Sequence, residues 1–110
     1  MATLYHYTTA VGLAGILSSM VLRPSLAAKS PQDVRYGDGQ YLSDIEPGTM
    51  SGVDLSRAFL GFPFQGRRFT HYVAIEVTGL VVVAGRPGVL VVPSTQPLNL
   101  TGRVVGHGEN

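Results

Sequence analysis

The stretch TLYHYT, residues 3–8, has the aromatic and β-branched side chains that are typical of a β-strand. Thr8 or Thr9, which follows directly, can cap a helix. Apolar side chains then recur at the spacing of a helix of about three turns, at Leu13, Ile16, Leu17 and Met20. The chain therefore begins with a strand that places His6 between two tyrosines, and a short helix follows. A lone histidine on a buried strand is more often a core residue than part of a site, so further motifs must decide its role.

The remaining sequence alternates short apolar segments with turns rich in glycine and proline. A Gly-Asp-Gly turn in RYGDGQYLSDI (35–45) precedes a short strand, and VDLSRAFLG (53–61) predicts a second helix. After the exposed connector FPFQGRRF, THYVAIEVTG (70–79) alternates as a strand does, and LVVVAG, GVLVVP and TGRVV predict three more. We therefore expect an α+β fold in a single domain over residues 1–110, with one or two short helices and a mostly antiparallel sheet.

The composition excludes several classes of function. Eight basic and seven acidic residues give a net charge of +1, with Lys29 as the only lysine, so no electrostatic surface for nucleic acid is indicated. Cysteine is absent, which excludes disulfides and thiolate metal sites. His6, His71 and His107 lack the paired spacing of metal ligands, so we expect no metal site. The sequence has no Gly-x-Ser-x-Gly motif, which argues against a serine hydrolase.

The sequence carries no pattern for membrane insertion or for signal-peptide-dependent secretion. The N-terminal stretch MATLYHYTTAVG lacks a basic segment followed by an unbroken apolar run, so we predict no signal peptide. The longest apolar stretch, GLVVVAG, is far too short to cross a bilayer. We expect a protein of the cytoplasm, or one that a carrier delivers to a target cell.

Three blocks of sequence occur in an order and spacing that resemble a known family. The blocks are LYHYTTAVGLAGILSSMVLRPS, then YGDGQYLSDI, then LSRAF followed by PFQG and RFTHYVAIEVTGL. They are similar to the small toxin-type ADP-ribosyltransferases that are named for a His-Tyr-Asp signature, over roughly residues 3 to 103. The first two blocks also resemble, more loosely, the poly(ADP-ribose) polymerase core. The resemblance implies a compact, split and strongly curved sheet that holds NAD, as a substrate, between two small sheets.

The resemblance also implies roles for residues of this sequence. His6 takes the position of the histidine that binds the adenine-side ribose, and Tyr41 that of an aromatic wall for nicotinamide. Further candidate contacts to NAD are Tyr7, Thr8, Tyr36 and Phe59, with Phe62 and Phe64 as other possible walls. Candidate contacts to the pyrophosphate are Arg57, Arg67 and Arg68. Without the resemblance, Phe59 would be interpreted as a core residue and Tyr41 as a ring that covers the sheet. Arg67 and Arg68 would be interpreted as solvated residues of a connector.

The catalytic carboxylate has two candidates. Better-known branches of the superfamily carry a glutamate on a late strand, but RPGVLVVP (86–93) contains no acidic residue. The alternatives are Asp44, which closes the YLSD motif, and Glu76, which lies on the strand THYVAIEVTG on the same face as Tyr72. Cleavage of the nicotinamide–ribose bond builds positive charge on the sugar, which a nearby carboxylate stabilises.

The resemblance therefore implies ADP-ribosyl transfer, or hydrolysis of NAD when water is the acceptor. If neither carboxylate reaches the cleft, the alternative is the same fold without NAD turnover. Such a protein would bind another small molecule or serve as an enzyme of small-molecule biosynthesis. The sequence does not specify the acceptor, and its apolar strand edges would allow a homodimer.

Overall fold

The computed structural model describes residues 2–26 and 37–110, and the candidate Tyr36 lies outside these ranges. The described helices are α1 (Ala10–Ser19), α2 (Gly52–Leu60) and a short 3₁₀ helix (Gly66–Phe69). The described strands are β1 (Thr3–Thr8), β2 (Val21–Leu22), β3 (Gly39–Leu42), β4 (His71–Glu76), β5 (Val83–Ala84), β6 (Leu90–Pro93), β7 (Leu98–Asn99) and β8 (Val104–Glu109). All paired strands among these are antiparallel, so the predicted α+β class is confirmed.

The described strands form three small sheets. The first has the order β1-β4-β8, the second β3-β6-β5, and β2 pairs with β7 in the third. One bridge joins the first two sheets: the Tyr5 amide donates to Ser43 O at 2.8 Å, and the Ser43 amide donates to Tyr5 O at 2.7 Å. The strands therefore form the split sheet that the resemblance implies, with β1 and β3 meeting at the split.

Helix α1 begins and ends at residues with clear local causes. The Thr9 hydroxyl accepts from the Gly12 amide at 3.0 Å, so Thr9 and not Thr8 is the N-cap. Met20 ends the helix in the left-handed conformation, with φ 54°. The four apolar residues with helical spacing all contact the first core, whose buried members include Leu13. The predicted inward face of α1 is confirmed.

Apolar side chains from both faces of β1 and β4 are buried. Leu4, Val73 and Ile75 contribute to the first core, whereas Tyr7 packs in a second core with residues of α2 and the 3₁₀ helix. Successive side chains of a strand point to opposite faces, so alternation alone distributes them between the two cores. Strand β1 therefore lies between the two cores, and packing on both of its faces holds it in place.

Helix α2 packs through residues that have no exposed surface. Leu55 and Ser56 are each 0% exposed, whereas Val53 is 45% exposed, so the helix turns Leu55 and not Val53 towards the core. The Ser51 hydroxyl caps the helix by accepting from the Asp54 amide at 3.2 Å. Helix α2 and the following 3₁₀ helix thus form a layer over the second core.

The late strands differ from the prediction in extent. Only Val83–Ala84 of the segment LVVVAG is a strand, and Val81 is 73% exposed, so this apolar run does not form a buried strand. Strand β7 was not predicted, and β8 continues through Glu109 beyond the TGRVV segment. Among the described residues, no helix is long and apolar enough to span a membrane.

Two glycines provide a matched test of this packing. A Cβ atom on Gly39 would lie 2.3 Å from Val92 O, whereas a Cβ on Gly15 of α1 would meet no atom within 4 Å. We expect Gly39→Ala to lower the free energy of unfolding by about 3 kcal/mol, because the paired backbone of β6 must shift. Gly15→Ala should raise it by about 0.5–1 kcal/mol, since alanine favours a helix. Urea denaturation of both variants measures the difference, and equal effects would contradict the packing of β3 on β6.

Candidate active site

A cavity of about 130 Å³ lies where β1, β3, α2 and the 3₁₀ helix meet. Its walls are mainly aromatic and aliphatic, with a few polar groups, which is the usual character of a site for a small molecule. The lining residues are Tyr5, His6, Tyr7, Ser25, Tyr41, Leu42, Ser43, Phe59, Leu60, Arg68, Phe69 and Val89. The structure thus brings four sequence-predicted NAD contacts together here, namely His6, Tyr7, Tyr41 and Phe59.

The imidazole of His6 connects the two sheets at this cavity. Its Nδ1 lies 3.1 Å from Tyr41 O. A carbonyl oxygen only accepts, so Nδ1 carries the proton and Nε2 keeps a lone pair in the neutral ring. Burial lowers the pKa of His6 from its ordinary value, and the bond to Tyr41 opposes only part of this shift. His6 is therefore neutral at pH 7 and can accept a hydrogen bond at Nε2.

Tyr41 is held by hydrogen bonds at both its backbone and its ring. Its carbonyl accepts from His6, and its hydroxyl donates to Gly37 O at 2.7 Å. The ring itself is partly buried and contributes to the cavity wall. Strand β3 positions it by pairing Tyr41 with Val91 of β6. The ring can therefore contact a flat ligand without first losing much conformational freedom.

The remaining aromatic walls come from the second core. The Tyr7 hydroxyl donates to Ile45 O at 2.7 Å, and burial, followed by Tyr5 and Tyr72, raises the pKa of Tyr7 to about 12. Phe59 packs with its ring centroid 5.7 Å from that of Tyr7 and 5.1 Å from that of Phe69. Phe59 thus has both roles weighed from the sequence, since it packs in the core and also lines the cavity.

The three candidate arginines occupy different positions. Arg68 lines the cavity, with its guanidinium carbon 5.7 Å from the centre of the Phe69 ring. Arg57 is within 3.6 Å of Asp54, and both side chains are well exposed. Arg67 is also exposed and does not line the cavity. Of the three, Arg68 is the one placed to meet a phosphate of a ligand in this cavity.

Neither candidate carboxylate lines the cavity. Asp44 is exposed and directly follows Ser43, which is 2% exposed and does line it. Glu76 lies at the end of β4, where its Oε1 accepts from the Ala2 amide at 3.1 Å, the Thr78 amide at 2.9 Å and the Thr78 hydroxyl. These bonds, with the Thr78 hydroxyl first, lower the pKa of Glu76. The structure thus places Asp44 one residue from the cavity wall and gives Glu76 local backbone partners.

Several lining residues were not predicted from the sequence. Phe69 belongs to a segment that reads as an exposed connector, yet it is 7% exposed and contacts Phe59. Ser25 reaches the site through a bridge to Gly39, with amide–carbonyl distances of 2.8 and 3.1 Å. Thr8, a predicted contact, is not part of the lining. No local pattern marks Phe69 or Ser25, because distant segments bring them to the cavity.

Metal ligands are not grouped in the part of the chain that the structure describes. Residues 2–26 and 37–110 contain no cluster of three histidine or acidic side chains that could hold an ion. The polar side chains in the cavity lining include the neutral imidazole of His6, the Arg68 guanidinium, and Ser25 and Ser43.

Comparison with protein families gives one match, which covers most of the chain. A family model described as the HYD1-signature-containing ADP-ribosyltransferase, a toxin family, matches residues 4–104. No curated protein and no solved structure matches the sequence. The matched range contains His6, Tyr41, Asp44 and every residue that lines the cavity.

Proposed function

Because this chain belongs to the family of toxin ADP-ribosyltransferases that contain the HYD1 signature, we propose that it cleaves NAD and transfers ADP-ribose to an acceptor. The observation that carries the proposal is the meeting of His6 and Tyr41 across the split between two sheets, beside a cavity with aromatic walls. The resemblance gives these residues the His and Tyr positions of the signature, and 35 positions separate them in the sequence. An effector of this kind would act in the cytoplasm of a target cell.

The size and walls of the cavity suit one ring of NAD. At about 130 Å³ it is smaller than the roughly 300–1,000 Å³ that whole small-molecule ligands occupy. The nicotinamide ring is flat, so Tyr41 and Phe59 can contact it through their rings. The riboses, the pyrophosphate and the adenine would then lie outside the enclosed part, with Arg68 at its edge to meet a phosphate.

His6 would hold a sugar hydroxyl in this arrangement. Its Nδ1–H is already donated to Tyr41 O, so Nε2 is the atom that can accept from a ribose O–H. The lowered pKa keeps this nitrogen unprotonated at neutral pH. A fixed acceptor that binds the sugar also positions the glycosidic bond relative to the aromatic walls.

The proposed reaction exchanges one bond at C1′ of the nicotinamide-side ribose. The C1′–nitrogen bond breaks, its electron pair leaves with neutral nicotinamide, and the sugar becomes oxocarbenium-like. An acceptor nucleophile then forms a bond to C1′ and releases a proton, and water in this role gives NAD glycohydrolysis. Asp44 is the carboxylate that we propose stabilises the cationic sugar, since it adjoins the wall residue Ser43.

A second candidate function is binding of a planar small molecule without NAD turnover, or a different reaction in small-molecule biosynthesis. The observation that favours it is that neither Asp44 nor Glu76 lines the cavity. In this case His6 and the aromatic walls would still bind a flat, hydroxyl-bearing ligand. The two functions differ in whether the glycosidic bond of NAD is broken.

The direct test is incubation of the purified protein with NAD and measurement of released nicotinamide. We expect release above the uncatalysed background and a rise in melting temperature with NAD, because ligand binding to the folded state stabilises it. Stabilisation by NAD without nicotinamide release would favour the second candidate. If NAD caused no rise in melting temperature and no nicotinamide were released, the result would contradict NAD as the ligand.

A further inference from the structure

We propose that Phe62 and Phe64 form a docking platform for a protein acceptor that presents an apolar side chain next to acidic residues. This inference rests on the proposed function, because the acceptor must approach the cavity in which NAD is cleaved. Phe62 and Phe64, which the resemblance offered as possible walls for NAD, are exposed and do not line the cavity, so the inference assigns them a different role.

The two rings are exposed and stacked on each other. Phe64 is 81% exposed and Phe62 is 40% exposed, and their centroids lie 6.1 Å apart with an interplanar angle of 28°. Eight large hydrophobic side chains are exposed among the described residues, and four of them fall within residues 50–64. These four are the two phenylalanines, Met50 and Val53. The stacked rings of Phe62 and Phe64 thus give this segment an exposed aromatic surface that a partner protein could cover.

The loop that carries the rings is fixed by a buried serine. The Ser56 hydroxyl donates to Phe62 O and accepts from the Gln65 amide at 3.1 Å, and Ser56 is 0% exposed. Gly61 ends α2 in the left-handed conformation, with φ 84°, and so turns the chain into the loop. Because the backbone is held at both ends, a partner would order little of it on binding.

The platform adjoins the cavity along the chain. Leu60, directly before the loop, lines the cavity, and so does Arg68, three residues after Gln65. A protein bound to Phe62 and Phe64 would therefore be held close to the mouth of the site. This proximity is what transfer to an acceptor needs and what hydrolysis by water does not.

The local charge indicates an acidic partner. Arg67, which is exposed and outside the cavity lining, follows the loop, and the sequence has no acidic residue between Asp54 and Glu76. Aromatic and arginine side chains dominate the binding energy of protein interfaces. A single-stranded nucleic acid would need a longer track of positive charge than this chain offers at a net charge of +1. A protein partner is therefore the better fit.

The test compares transfer with hydrolysis in the same variants. The double variant Phe62→Ser/Phe64→Ser is incubated with phosphate-labelled NAD and a cell extract, and separately with NAD alone. We expect labelling of protease-sensitive material to fall roughly ten-fold or more, as for loss of a binding hot spot. Nicotinamide release without extract should stay within about two-fold, because the rings are outside the cavity lining. Arg67→Glu should also reduce labelling and leave release unchanged.

Val81→Ser is the matched control, since Val81 is 73% exposed and lies on a different segment. It should leave both readouts unchanged. Labelling of nuclease-sensitive material, unchanged labelling in the double variant, or release without any labelling by the wild type would each overturn the platform alone. An equal loss of release and labelling in the double variant would place the rings in the NAD site. Absence of release from the wild type would overturn the proposed function itself, and the platform with it.

Discussion

Asp44→Asn is expected to lower the rate of nicotinamide release by about two to three decades, the usual effect of removing one preorganised electrostatic contact. Asparagine keeps the shape of the side chain and removes the negative charge, so the cationic sugar loses its stabilising partner. Asp44 is exposed and makes no contribution to either core, so the variant should fold like the wild type. Nicotinamide release at saturating NAD, with the melting temperature as a folding check, measures the effect.

Glu76→Gln is the matched control for Asp44→Asn. Its carboxylate is engaged by the Ala2 and Thr78 amides and the Thr78 hydroxyl, so we expect release within about two-fold of the wild type. The Glu76→Gln substitution should instead lower stability. Because the folded protein lowers the pKa of Glu76, its carboxylate stabilises the fold at pH values above the ordinary pKa of 4.5. This stabilisation is lost as pH falls through the pKa of the folded state. If Glu76→Gln abolishes release and Asp44→Asn does not, Glu76 is the catalytic carboxylate.

His6→Ala is expected to lower nicotinamide release roughly 100-fold, because the fixed acceptor for the sugar and the link to Tyr41 are both removed. His107→Ala is the matched control. His107 lies in the same row of the first sheet, since His6 and His107 both pair with Val73, but it is exposed and outside the cavity lining. Equal losses in both variants would contradict a specific role for His6.

The pH dependence of stability provides an independent measurement on His6. The unfolded residue binds a proton near pH 6.5, whereas the folded residue binds it only at lower pH. Unfolding therefore takes up a proton between these two pKa values, so the free energy of unfolding decreases as pH falls from 6.5 to the folded pKa. His6→Ala should remove this decrease, and His107→Ala should leave it in place. Urea denaturation at several pH values tests both statements.

The resemblance of the sequence to a family supplied more of the site than any single motif did. His6 alone would have been read as a core histidine, and Tyr41 as a ring on a sheet surface. The structure brings both to one cavity with Tyr7 and Phe59, whereas Thr8 is outside the lining. The identity of the catalytic carboxylate stays a prediction, because Asp44 and Glu76 both lie outside that lining.

The sequence by itself determined the local elements of this protein. A threonine cap at position 8 or 9, the inward face of α1 and a strand within residues 70–79 follow from side chains a few positions apart, so periodicity and capping chemistry are sufficient to predict them. The short, exposed apolar run around Val81 shows where such patterns are insufficient, since apolar composition alone does not bury a segment.

Only the tertiary structure decided the chemistry of the cavity. The proton position on His6 is set by Tyr41 O, 35 residues away, and Phe69 is buried by Phe59 rather than exposed as its neighbours suggest. Glu76 likewise acquires its partner Ala2 from across 74 positions. Hydrogen bonds and burial between distant segments leave no periodic pattern in the sequence. They arise only when the split sheet and the helix layer close around one space.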